Sequence, residues 1–105
     1  MSQVVLMLTT WPDKTAAEQA AKTWVNKKLA ACVNILPAML SIYHWDGKTI
    51  SDNEHQLLIK TTQNNSDALK QAILEAHPYE CPEILILPIN GGHQDYLNWI
   101  TGYAQ

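Results

Sequence analysis

The first apolar stretch, Val4 to Leu8, is an unbroken run rich in Val and Leu, the pattern of a buried strand. Trp11-Pro12-Asp13 interrupts it, and Thr15 followed by Glu18 has the spacing of a capping box that opens a helix. Ala17, Ala20, Ala21, Trp24, Val25 and Leu29 then recur at helical spacing, with Glu18, Lys22, Asn26 and Lys27 facing out. This predicts a helix to about Leu29. From Ala31 to Thr62 the chain reads as two strands joined at Asp46-Gly47, a dipeptide suited to the positive-φ positions of a type I′ turn. A two-residue loop sets Trp45 opposite Lys48, Tyr43 opposite Ile50 and Ile42 opposite Ser51. Pro37 has no N–H for the ladder and should mark a bulge or an edge position. Ser66-Asp67 opens a second helix with Leu69, Ala72, Ile73 and Ala76 on one face, and Pro78 stops it. Glu83 to Ile89 repeats the buried-strand pattern, and after Gly91-Gly92 a short helix carries Tyr96, Leu97, Trp99 and Ile100.

The order is β-α-β-β-α-β-α, and its first six elements match the split-βαβ, ferredoxin-like unit. The expected fold is therefore α+β, one domain over residues 1–105. Its four-stranded antiparallel sheet, in the order 4-1-3-2, carries two helices on one face, a long central hairpin and a C-terminal helix. Val4–Leu8 and Ile84–Leu87 are expected as central strands. The hairpin arms, at about 15 residues each if continuous, far exceed the usual strand of about 5–6. Helices rising about 1.5 Å per residue cannot cover a ribbon that rises about 3.3 Å per residue. Left bare, Leu40, Ile42, Tyr43, Trp45 and Ile50 on its distal part would form an apolar patch. Another subunit is expected to cover them.

Composition narrows the partners. Only 16% of the 105 residues are charged, against 47% apolar, a balance that argues against disorder and for hidden surface. All seven basic residues are Lys and the net charge is -3, so there is neither a bidentate phosphate fork nor a basic stripe. Nucleic acid is not an expected partner. Met1 to Leu8 lacks the charged start and cleavage site of a leader, no run approaches the ~18 apolar residues of a membrane span, and the expectation is a cytoplasmic protein. Cys32 and Cys81 form no CxxC or zinc-ribbon spacing, so both are expected as reduced thiols, Cys32 buried and inert.

Several stretches resemble the CutA (divalent-cation tolerance) family. They are Lys28-Leu29-Ala30-Ala31-Cys32 with Asn34-Ile35, Ser41-Ile42-Tyr43-His44-Trp45-Asp46-Gly47-Lys48, Leu58-Ile59-Lys60-Thr61, His77-Pro78-Tyr79-Glu80 continuing to Pro82-Glu83, and Tyr96-Leu97-Asn98-Trp99. The resemblance covers nearly the whole chain. It implies a homotrimer of ferredoxin-like subunits whose hairpins pair across the interfaces, and a non-enzymatic role in response to, tolerance of or binding of divalent metals, copper above all. Some bacterial members of the family carry a Cys near the end of the first strand and two consecutive His before Pro-Tyr. Here Thr9 and Ala76 stand at the matching positions and only His77 remains, so copper or another divalent metal should bind weakly.

His77 and Cys81 are the candidate metal ligands. Pro78 and Pro82 keep them off a helix, and the competing reading is a capping histidine and an ordinary thiol. His44 and His55 cannot share a metal within one chain, because the hairpin register sets them opposite Thr49 and Ala38, about 20 Å apart. Tyr43 and Trp45 pack at the subunit interface or wall a ligand cleft completed by Lys60, Tyr79, Glu80 and Glu83. No nucleophile elbow, phosphate loop or HExxH helix is present, so no enzyme is expected. The alternative to metal handling is a small-molecule sensing module like the trimeric PII-like proteins, with its ligand in the inter-subunit cleft.

Overall fold

The structure, a computed structural model, describes residues 3–105. Residues 1 and 2, which begin the 1–105 domain and the Met1–Leu8 segment read for a leader, lie outside the described residues. Eight elements follow: β1 (Val4–Trp11), α1 (Lys14–Asn26), β2 (Cys32–Ile35), β3 (Met39–Trp45), β4 (Lys48–Thr62), α2 (Gln63–Ala76), β5 (Leu85–Pro88) and α3 (Gln94–Tyr103).

The 15-residue β4 organises the sheet. Residues 55–62 of it pair with β1 and residues 57–60 with β2, while residues 48–54 pair with β3 alone. Every pairing is antiparallel, and the order β2-β4-β1-β5 is the ferredoxin-like order expected. The first hairpin arm is broken around Pro37 into β2 and β3, which gives five strands rather than four. Asp46 and Gly47 take φ values of 52° and 73°, as a type I′ turn requires, and Tyr43 faces Ile50 as the register predicts.

The break is a bulge. From Ile35 to Met39 the first arm advances four residues, while its partners on β4 run only from Leu57 to Glu54. His55 is therefore not seated against Ala38. Its Nδ1 lies 2.9 Å from the carbonyl oxygen of Leu36, inside the bulge.

Several expectations about the elements are corrected. Helix α1 is capped by Asp13, whose carboxylate accepts the Ala16 N–H at 2.8 Å, not by Thr15, and it ends at Asn26 rather than Leu29. Its C-terminus closes through Lys28 N–H to Val25 O at 3.0 Å and Leu29 N–H to Trp24 O at 2.9 Å, with Lys28 left-handed at φ 62°. That Schellman geometry favours glycine. Lys28→Gly is expected to raise stability by about 0.5–1 kcal/mol in urea unfolding, and a loss of stability would refute the reading. Helix α2 starts at Gln63, not at Ser66, because β4 runs into it without a loop and Gln63 N–H bonds the Gln3 carbonyl at 2.7 Å. Finally, β1 is central as expected, but β5 is an edge strand, and Leu85, Ile86 and Leu87 are exposed.

Helices α1 and α2 cover one face of the sheet. Val5, Met7 and Trp11 of β1 and Leu57 and Ile59 of β4 meet Ala17, Ala21 and Trp24 of α1 and Leu69 and Ile73 of α2 in the core. Helix α3 covers only one end of the opposite face, where Ile100 and Ala104 pack on Val4 and Ala31. The rest of that face, with Leu6, Leu8, Leu58, Leu85 and Leu87, has no second layer among the described residues of one subunit.

Candidate functional site

Side chains alternate across a strand. The alternation that sends Leu57 and Ile59 into the core therefore sends Glu54 and Gln56 to the uncovered face, beside Thr10 of β1. The turn register puts Met39, Ser41, Tyr43 and Trp45 of β3 on that same side. The connection between α2 and β5 folds against them, and together they enclose an open groove of about 640 Å³.

Glu54 forms its floor. It is only 8% exposed, and its Oε2 accepts from Thr10 Oγ1 at 2.9 Å and from the Tyr79 hydroxyl at 3.3 Å. Burial first, and the Glu54 carboxylate second, hold the Tyr79 phenol above its ordinary pKa of 10.0. On the distal rim the Tyr43 hydroxyl donates to Asp52, and that bond pushes its pKa up to about 12. The raised value marks a bond present at neutral pH and lost as the pH climbs from the ordinary 10.0 through about 12. Gln56 Nε2 ties the groove wall to the sheet, donating to the Thr9 carbonyl at 2.8 Å and to Glu83 Oε2 at 3.0 Å.

His77 is committed to structure. Its Nδ1 accepts the Tyr79 backbone N–H at 3.0 Å, which leaves the proton on Nε2 to be donated to the Thr10 carbonyl at 2.6 Å. Its ring lies between Trp11, at 4.3 Å, and Tyr79, at 4.8 Å. Neither nitrogen has a free lone pair for a metal. Cys81 is exposed on the groove wall between Glu80 and Glu83. Among the described residues no group of three or more His, Cys, Asp or Glu is placed to hold a metal ion. Thr9, the residue matched to a family cysteine, buries its hydroxyl without a hydrogen-bond partner among the described residues.

Of the expected cleft, the fold brings together Tyr43, Trp45, Tyr79, Glu80 and Glu83. Lys60 is not among them. It lies six residues along β4 from Glu54, roughly 20 Å at strand spacing, and its Nζ bonds Asn34 Oδ1. Sequence reasoning missed Glu54, Gln56 and Thr10. The hairpin register alone could have found Glu54, since it shares a face with Tyr43, Ile50 and Asp52. Of the expected interface residues, Leu40, Ile42, Tyr43 and Trp45 are exposed and Ile50 is half-buried, and the pleat divides them. Leu40 and Ile42 point to one side of the ribbon, and Tyr43, Trp45 and Ile50 to the groove side. Cys32 is half-buried rather than buried, its Sγ 3.9 Å from Asn34 Oδ1.

No helix among the described residues is long and apolar enough to cross a membrane. The chain is 40% identical over 101 residues to the "Divalent-cation tolerance protein CutA" of Pectobacterium atrosepticum, covering 96% of this chain and 92% of that one. The crystal structure of CutA1 from Oryza sativa superimposes with a TM-score of 0.95 at 38% identity, covering 99% of this chain and 95% of the other. A structure from Archaeoglobus fulgidus, described as a periplasmic divalent cation tolerance protein CutA, superimposes with a TM-score of 0.93 at 31% identity over 97% of this chain and 99% of its own. Residues 5–102 match the family model of the CutA1 divalent ion tolerance protein, and the chain belongs to that family.

Proposed function

We propose that this chain is a non-enzymatic, homotrimeric divalent-metal tolerance protein of the cytoplasm that binds copper or another divalent ion weakly. The observation that carries the trimer is the sheet face opposite α1 and α2, apolar and uncovered in one subunit and continuous with the ribbon side that exposes Tyr43 and Trp45, while Leu40 and Ile42 are exposed on the ribbon's other side. Metal handling is supported by family membership. Weak binding is supported by the engagement of both His77 nitrogens, which leaves the exposed Cys81 thiol as the accessible one of the two expected ligands.

Anaerobic titration calorimetry with Cu(II), and with Zn(II) as the redox-inert control, tests this. The expected result is weak binding that Cys81→Ser reduces more than His77→Ala does. Tight stoichiometric binding that survives Cys81→Ser would overturn the assignment.

A second reading, a sensing module with a small molecule in the cleft, is favoured by the groove itself. Its volume lies within the range of about 300–1,000 Å³ usual for ligand sites, and its walls combine aromatic rings with a few convergent polar groups.

A further inference from the structure

Glu54 is a buried carboxylate with no cation paired to it among the described residues. Its partners are two neutral hydroxyls, both on Oε2, and the ion pairs among the described residues, Lys14 with Glu18 and His93 with Asp95, lie elsewhere. Burying an ionised carboxylate without a counter-charge is costly. The groove above it adds the acids Glu80 and Glu83 and the rings of Tyr43, Trp45 and Tyr79, and among the described residues no Lys or His lines it. Such a surface repels anions. Ring faces carry negative potential, and an aromatic wall beside a carboxylate attracts a cation that has an apolar shell.

We propose that this groove, kept as a cleft where the neighbouring subunit of the proposed trimer packs on the ribbon, takes a small organic ammonium ion, its charge set against Glu54 and its carbon shell against Tyr43, Trp45 and Tyr79. The inference rests on the reading of the groove as a ligand site and names its ligand class. A bare metal ion would leave the ring faces unused, whereas an alkylammonium uses both features.

The test is ligand titration of the intact ¹⁵N-labelled protein, following the Trp45 indole N–H, assigned with Trp45→Phe, and the Glu54 amide. Three probes of similar shape are compared: tetramethylammonium, neutral tert-butanol and anionic pivalate. Tetramethylammonium cannot coordinate as a metal does. Saturable shifts with it alone are expected, weakened about tenfold by Glu54→Gln if the charge contact is worth about 1.4 kcal/mol. Should Glu54→Gln fail to fold, the exposed pair Glu80→Gln and Glu83→Gln decides, with an expected loss of about threefold, since exposed charges contribute less. Equal shifts with tert-butanol or pivalate would overturn the cationic class and leave the groove as a ligand site. No shift with any probe overturns both readings. If the Trp45 signal then moves on reductive methylation of lysines, the groove is filled by a lysine of a neighbouring copy.

Discussion

The unmodified protein is expected to sediment at about three times its subunit mass of 11.8 kDa, and Trp45→Asp to fall to the single-subunit mass or to aggregate. Leu40 is 63% exposed, Ile42 65%, Trp45 52% and Leu85 52% in one subunit, on a ribbon and an edge strand. Each large apolar side chain removed from water contributes about 1.5–3 kcal/mol. A handful of such residues per subunit is therefore comparable to the total stability of about 5–15 kcal/mol typical of a domain. Assembly and folding should then be one event, with unfolding midpoints that rise with protein concentration. An aspartate at position 45 would bury an unpaired charge in that contact, a cost of several kcal/mol per subunit. Ile42→Asp, on the other side of the ribbon, tests whether both faces are covered. A mass near 11.8 kDa for the unmodified chain at every concentration would defeat the proposal.

The same strands show where the sequence was legible. The hairpin register was, because Asp46-Gly47 pins it and every pair from Trp45–Lys48 to Met39–Glu54 follows by counting. Pro37 announced a bulge or an edge position, but not the one-residue offset, which depends on how Leu36 and His55 meet. The end of α1 was hidden because Lys28, a good helix former, sits where glycine would have signalled a stop. The start of α2 was hidden because the usual turn between strand and helix is missing. β5 misled for a different reason. A run apolar on both faces normally means a central strand, yet here it lies at an edge with both faces exposed. That pattern is what burial between subunits would demand.

The candidate site was half legible. Tyr43, Trp45, Tyr79, Glu80 and Glu83 stood out as polar or aromatic residues in recognisable stretches, and the fold gathers them. Glu54 and Thr10 did not, because their meeting joins positions 44 residues apart across the sheet. Lys60 was misplaced for the opposite reason. It shares a face with Glu54, but parity along a strand fixes the side and not the distance.

Trp11→Ala is expected to cost about 3–5 kcal/mol, the usual range for deleting a buried tryptophan, a large share of the about 5–15 kcal/mol that stabilises a domain. Trp11 is among the largest fully buried side chains, packed edge-on against Trp24 at 5.8 Å and against the His77 ring at 4.3 Å. Its loss removes transfer free energy and also leaves a cavity between β1 and the helices, which the sheet cannot close without breaking the ladder to His55. The damage should reach the groove. His77 is held by Trp11 on one side and orients Tyr79 on the other, and Tyr79 donates to Glu54. Urea unfolding at fixed protein concentration measures the first effect, and the pKa of Tyr79, followed by ultraviolet titration, measures the second. With the Tyr79–Glu54 contact loosened, its raised pKa should fall back toward the ordinary 10.0. A stability loss below about 1 kcal/mol, the level of an ordinary surface change, would mean that Trp11 is not the keystone of this core.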